Sequence, residues 1–296
     1  MRGTYRFYQD GVLVGETENL ITTAGKSRII KYLSGYVGSI AGVIAVGTGA
    51  ITATVGDTSL AFEWYRTPIV LTSADYINSA VVFMGQIPAL ACGSIYEMGL
   101  WSAMDQGQKC RTRLLYTFDS LSESWTLTQA EWNTANGRIG IDALRLAPAT
   151  SATSLSSVSG IFQDFSGYSD LDEFRLAYNV NTAFVATAKL ILYTDISNYY
   201  TYTITTPTAG YKITSFHKAD FVATGTPAWN NITSAAVQVT STGGGSGSID
   251  FDGLRIEDKG FNSEEYSLVS RAVPSSPIVK LAGMPLNFEY VLDVSM

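Results

Sequence analysis

Histidine is nearly missing from this 296-residue chain, which carries only His217. Zinc sites built on two or three imidazoles cannot form within one copy, and a Ser-His-Asp triad would have to run through His217. Set beside Lys218 and Asp220, His217 reads as an inert surface residue more readily than as a base. Cysteine is almost as scarce. Cys92 and Cys110 are too few for a disulfide framework or a four-thiolate metal site, leaving one bridge or two thiols open. Charged residues are 15% of the chain, against roughly 25% in an average soluble protein. Lys and Arg number 19 against 26 Asp and Glu, a net charge of -7. Phosphate backbones are held by a surplus of basic side chains, so a nucleic-acid partner is excluded. The opening Met1 to Arg6 lacks the apolar run of a signal peptide, which predicts synthesis in the cytoplasm without export by that route. Residues 32–56 and 76–96 are uncharged and long enough to span a bilayer. The glycines of the first, and Asn78, Gln86 and Pro88 in the second, suit buried strands and turns better, so no membrane insertion is expected.

What is present is apolar bulk in short segments. Hydrophobic residues make up 46%, enough to bury a sizeable core, and the length suits two domains. Residues 4–14 alternate around Asp10-Gly11, a hairpin signal, because Asp-Gly accepts the positive φ angles of a type I′ turn. Thr22 or Thr23 is placed to cap one short helix through Ile29, Ile30 and Leu33, ended by Gly35, with its apolar positions on one face. The rest reads as strands: 43–46, 67–71, 80–84 and 94–99, with a turn over 57–66 that would pair Glu63 with Arg66. After Gln106-Gly107-Gln108 the composition shifts to Ser, Thr and aromatics, with strands at 138–146, 174–178, 186–193, 199–205, 236–240 and 248–256. Evenly spaced short strands predict a sandwich, with Gly243-Gly244-Gly245-Ser246-Gly247 as a hairpin tip. Residues 268–273 and 287–292 add two strands that need a sheet to join. The fold class expected is therefore mostly β. A discontinuous terminal domain (1–112 and 262–296) with one short helix would carry an inserted jelly-roll β-sandwich (113–261).

Two resemblances follow. Asn19 to Lys26, Ile44-Ala45-Val46-Gly47-Thr48-Gly49, Asp57 to Glu63, Arg66 and Ile95-Tyr96-Glu97-Met98-Gly99-Leu100 resemble tailed-bacteriophage virion proteins. The close of the chain, Arg271 through Lys280 to Glu289-Tyr290, resembles the final strands of such proteins. That likeness implies a non-enzymatic structural component of the phage particle: tail, baseplate, fibre or capsid decoration. Implied with it are other virion proteins as partners and a homo-oligomer, a trimer in the simplest case, with the jelly roll projecting outward. The middle is similar to carbohydrate-binding-module jelly rolls through Phe118-Asp119, Trp125-Thr126 and Ile249 to Ile256. The alternative function is then a glycan-binding adhesin module for the host envelope, with a polysaccharide depolymerase as a third reading.

The candidate residues follow from these readings. In the jelly-roll likeness an aspartate of the last strand helps hold a structural calcium, which takes six to eight oxygens. Asp119 and Asp252 are the preferred ligands here, with Asp250 beside them; the alternative is that they lie on solvent-facing strand positions or cap turns. No other cofactor is expected. Asn198-Tyr199-Tyr200-Thr201-Tyr202 is the densest aromatic cluster, with Tyr200 and Tyr202 on one face of a strand and Tyr199 on the other. An exposed pair of rings suits stacking on sugars, with Trp132 and Trp229 as further candidates; the alternative is core and subunit interface. Trp125 is assigned to the core. Gly47-Thr48-Gly49 lacks the Gly-Lys-Ser/Thr continuation of a phosphate loop. No local motif marks a carboxylate pair for glycoside hydrolysis.

Overall fold

The computed structural model describes residues 2–103, 112–182, 185–205, 208–243, 247–258 and 266–294. They form two compact units, Met1–Cys110 with Phe261–Met296, and Arg111–Gly260. Strands dominate both. The first unit opens with β1 (Arg2–Gln9), β2 (Val12–Glu18), β3 (Leu20–Ile21), α1 (Thr23–Leu33), β4 (Val43–Gly47) and β5 (Glu63–Pro68). It continues with β6 (Leu71–Asp75), β7 (Ala80–Ile87), β8 (Gly93–Ile95) and β9 (Glu97–Trp101). The second unit holds β10 (Arg113–Tyr116), β11 (Glu131–Asn133), β12 (Ala143–Leu146), β13 (Thr153–Gln163), β14 (Glu173–Val180) and β15 (Val185–Asp195). There follow β16 (Asn198–Thr205), β17 (Gly210–His217), β18 (Val222–Thr224), β19 (Ile232–Gly243) and β20 (Ile249–Glu257). The chain then returns to the first unit for β21 (Leu268–Ala272), β22 (Ile278–Lys280) and β23 (Leu286–Asp293).

In the first unit one sheet runs β2-β1-β23-β7-β6 and a second β3-β21-β9-β4-β5, with β22 and β8 as a separate pair. Alternation fixes the inner face: Tyr5 and Phe7 of β1 and Phe288 and Tyr290 of β23 are buried. The Tyr5 hydroxyl meets the Ser270 hydroxyl at 3.0 Å, joining the two sheets. The first hairpin turns on Asp10 (φ 50°) and Gly11 (φ 76°), the left-handed pair that a type I′ turn needs. Thr22 caps α1, its Oγ1 accepting the Gly25 N–H at 2.9 Å. The helix lies so close to β21 that a Cβ at Gly25 would sit 1.9 Å from the Val269 carbonyl oxygen. Its apolar residues do not share one face, because Ile29 is buried while Ile30 and Leu33 point to solvent.

Residues 63–66 are not a turn. They open β5, and Glu63 and Arg66 still pair at 2.7 Å. The strand expected over 67–71 is broken between β5 and β6, and that over 94–99 is divided between β8 and β9. Residues 138–142 are not strand either, because the Arg138 and Ile139 N–H groups bond to the Asp252 carboxylate at 3.0 and 3.2 Å.

The second unit is a sandwich. One sheet runs β11-β12-β20-β14-β17 with β10 also on β20; the other runs β13-β19-β15-β16-β18. Leu144, Phe174, Leu176, Phe251 and Leu254 of the first sheet meet Ala188, Leu190, Leu192, Val237 and Val239 of the second in one core. Trp125 is buried there and stacks on Phe118 at 4.8 Å. Residues 244–246 of the glycine-rich tip and Cys110 lie outside the described residues; Cys92 is buried. Among the described residues no helix is long and apolar enough to cross a membrane.

Candidate functional site

A cavity lies on the solvent face of the sheet β13-β19-β15-β16-β18. Its position follows from strand alternation. In β15, Ala188, Leu190 and Leu192 face the core, so Lys189, Ile191 and Tyr193 face outward. In β16, Tyr200 and Ile204 are buried and Tyr199, Thr201 and Thr203 face outward. Strand register then arranges the outer side chains in rows. Tyr193 stands opposite Tyr199, which stands opposite Thr224. Ile191, Thr201 and Val222 form the middle row. Leu155, Gln238, Lys189 and Thr203 form the third. Rows two residues apart along a strand are separated by about 7 Å, so the aromatic and polar ends are about 13 Å apart. Ile196 and Asp220 border the same cavity, whose volume is about 700 Å³.

The two ends differ in chemistry. At one, the Tyr193 and Tyr199 rings lie 5.3 Å apart, tilted at 54°. Burial raises the Tyr193 hydroxyl pKa, with a smaller contribution from the neighbouring Tyr199, so the Tyr193 phenol stays neutral at physiological pH. At the other end Lys189 and Gln238 offer donors and Thr203 a hydroxyl. Lys189 makes no ion pair among the described residues. Asp220 is turned partly to its own backbone, accepting the His217 N–H at 2.7 Å. Stacking surface at one end and hydroxyl-matching groups at the other suit an amphipathic, polyhydroxylated ligand.

The expected aromatic pair is placed differently. Tyr200 and Tyr202 face inward and Tyr199 outward, the reverse of what an exposed pair requires. Tyr200 stacks on Trp229 at 3.7 Å and 9°, and its hydroxyl donates to the Pro227 carbonyl at 2.9 Å. Tyr202 stacks on Phe216 at 3.7 Å and 8°, with only part of it bordering the cavity. Trp132 is half-buried against the sandwich core. The core recruits these rings because their inward neighbours, Leu192 and Leu190, present apolar surface to cover. Of the five aromatic candidates, Tyr199 faces the cavity squarely. Tyr193 and Lys189 were missed, although the alternation of Thr187 and Lys189 with Ala188, Leu190 and Leu192 marks their face.

The calcium candidates do not fit a cation site. Asp252 is wholly buried, and its carboxyl takes the Arg138 and Ile139 N–H groups and the Tyr211 hydroxyl, the last at 2.5 Å. Loss of solvent pushes its pKa up to about 8, against the pull of those donors. A cation would have to displace them. Asp119 accepts the Leu121 N–H at 2.9 Å and presses on Gly140, where φ is 74° and a Cβ would clash with its Oδ2. Burial raises the Asp119 pKa as well. Asp250 is the hub of a different network. Arg145 pairs with it at 2.7 Å, and the side-chain amides of Asn133, Asn136 and Asn181 donate to it at 2.7–2.9 Å. Burial works against its ionisation, but these partners outweigh that and lower its pKa. Among the described residues no group of three or more His, Cys, Asp or Glu side chains gathers as a metal site.

In the first unit, the residues of the opening motifs converge on one carboxylate. Glu97 Oε1 accepts the N–H groups of Gly49 at 3.0 Å and Phe62 at 2.8 Å; Oε2 accepts that of Ala61 at 2.9 Å. Arg271 closes the network, bonding Glu97 at 2.9 Å and Asp57 at 2.7 Å. A Cβ at Gly47 or Gly49 would lie 2.7 or 2.5 Å from Glu97 Oε1. The Gly47-Thr48-Gly49 turn is thus shaped around an internal carboxylate, not a phosphate.

No family model and no curated protein sequence matches the chain. Among solved structures it is similar to the family 30 carbohydrate-binding module of a cellulosomal cellulase of Clostridium thermocellum. The identity is 13%, 60% of this chain and 98% of that one are covered, and the TM-score is 0.37. A second is the family 11 carbohydrate-binding module of the same organism in complex with a β-1,3-1,4-mixed-linked tetrasaccharide. There the identity is 12%, coverage is 57% and 97%, and the TM-score is 0.32. A third is the glycoside hydrolase domain of an Endo-D from Streptococcus pneumoniae R6, at 11% identity, 46% of this chain and TM-score 0.32. The match spans only 21% of that hydrolase structure. These are likenesses of fold, and they give no support to the resemblance to phage particle proteins.

Proposed function

We propose that the second unit is a glycan-binding module and that its site is the outer face of the sheet β13-β19-β15-β16-β18. The observation that carries this reading is the combination, in one open cavity of about 700 Å³, of the Tyr193–Tyr199 platform with the polar row of Gln238, Lys189 and Thr203. A pyranose has an apolar face and a hydroxyl rim, and such a cavity offers a partner to each. Binding without hydrolysis is the version proposed. Glycosidases of the common type need two carboxyl groups across the scissile bond, and Asp220 is the single acid among the described residues that borders the cavity. The test is a glycan array probed with the full-length protein, repeated with Y199A. A defined set of retained glycans that is lost on substitution supports the site; equal retention by both proteins, or none by either, refutes it. Release of reducing sugar from a retained polysaccharide would convert the reading to a depolymerase.

A role as a structural component of a tailed-phage particle is the second reading. Its support is that Gly47, Gly49, Ala61, Phe62, Glu97 and Arg271, all from the resembling segments, form a single network in the first unit. The two readings combine in a particle component that presents a glycan-binding unit to a host surface. Immunogold labelling of particles tests it.

A further inference from the structure

The helix α1 turns part of its apolar surface away from the fold. Ile30 and Leu33 are 65% and 75% exposed. With Ile21 and Val55 they line a groove of about 510 Å³ in the first unit. Arg2 and Lys26 border this groove, no carboxylate among the described residues does, and neither cation has an ion-pair partner among them. The groove is therefore apolar on its floor and carries two cations at its rim, with Asp293 opposite Arg2 on β23 but no carboxylate among the described residues lining it.

The opposite surface stands at the other end of β1. The β1–β2 hairpin exposes Val12 by 64% and Leu13 by 49%, with Val14 beside them, on a strand at the edge of its sheet. Asp10 at its turn is exposed and has no ion-pair partner among the described residues. β1 starts at the groove with Arg2 and ends at the hairpin with Gln9. Its seven residue steps span about 23 Å of extended chain, so the hairpin cannot fold back into its own groove. An occupant matching the groove is thus carried by every copy and is usable only by another.

We propose that the β1–β2 hairpin of one copy seats in the α1 groove of a second copy. Val12 and Leu13 cover Ile30 and Leu33, and Asp10 meets Arg2 and Lys26. The contact is head-to-tail, joining two different surfaces, so it closes into a ring or grows as a filament according to its rotation. Exposed apolar patches of this kind mark association surfaces, and the charges set the direction of seating.

The experiment is light scattering after size exclusion on the full-length protein over a dilution series. The wild type is expected to exceed the 31.9 kDa of one chain and to fall toward it on dilution and in high salt. L33E removes the groove and L13E the hairpin; each alone is expected to run as a monomer. An equal mixture of the two should form dimers, since L33E keeps a working hairpin and L13E a working groove. I30E and V12E form a second pair, which guards against misfolding at either position, with far-UV circular dichroism checking each variant. A wild type that stays at one chain mass, an L33E protein that still assembles, or folded variants that stay monomeric when mixed would each overturn the proposal. The last result would point to a symmetric contact instead.

Discussion

Replacing Asp252 by asparagine asks whether a buried carboxyl in the second unit is neutral. The group is wholly buried and its pKa is raised to about 8 by loss of solvent, although Tyr211, Ile139 and Arg138 pull it down. A raised carboxyl pKa means that the folded state holds a proton which the unfolded chain has already released. Between the ordinary aspartate value and about 8, the folded state binds more protons, so stability falls as pH rises. The slope from one such group is about 1.4 kcal/mol per pH unit, or at most about 4 kcal/mol from pH 5 to pH 8. Above the folded pKa the slope vanishes, because both states are then ionised. In D252N the amide oxygen can take the Arg138 and Ile139 N–H groups while the NH₂ donates to the Tyr211 hydroxyl. The variant should match the wild type near pH 5 and exceed it in stability near pH 9. Urea unfolding of both proteins across that range, followed by fluorescence, gives the difference directly and cancels every other titrating group. A wild-type to D252N difference that does not change with pH would refute the assignment, because the carboxyl would then be charged in the fold throughout.

The other expectations concern both units. Y199A should weaken binding of any glycan retained on the array by roughly five-fold, the worth of one aromatic contact, with the melting temperature unchanged; isothermal titration measures it. E97Q should destabilise the first unit by about 3 kcal/mol, since Arg271 loses its buried counter-charge and an amide NH₂ is set against N–H donors; urea unfolding reads this. A chelator should leave the melting temperature unchanged, because Asp252 and Asp119 are satisfied by their own chain; a drop that added calcium reverses would contradict that.

Local chemistry made some of this legible in the sequence. Asp10-Gly11 demanded its turn because few residue pairs accept two positive φ angles, and Thr22 offered the oxygen that the first helical turn lacks. The mostly-β class followed from short apolar segments punctuated by turn residues. The predicted strand over 138–146 failed because its first half satisfies its backbone on a distant side chain, Asp252, which no local pattern reveals.

The same division governs the site. Alternation by itself determined that Tyr199 and Tyr200 lie on opposite faces, since a strand has a period of two. Which face is buried was decided by tertiary structure alone, through Leu190 and Leu192 across the strand and Trp229 and Phe216 above it. Composition determined that one histidine leaves no zinc site built on two or three imidazoles within one copy. Only the folded chain decided that Asp252 is wholly buried, with its pKa raised by loss of solvent, and that Lys189 stands about 13 Å along the strands from Tyr193 and Tyr199, because burial and register are properties of neighbours brought together from far apart in sequence.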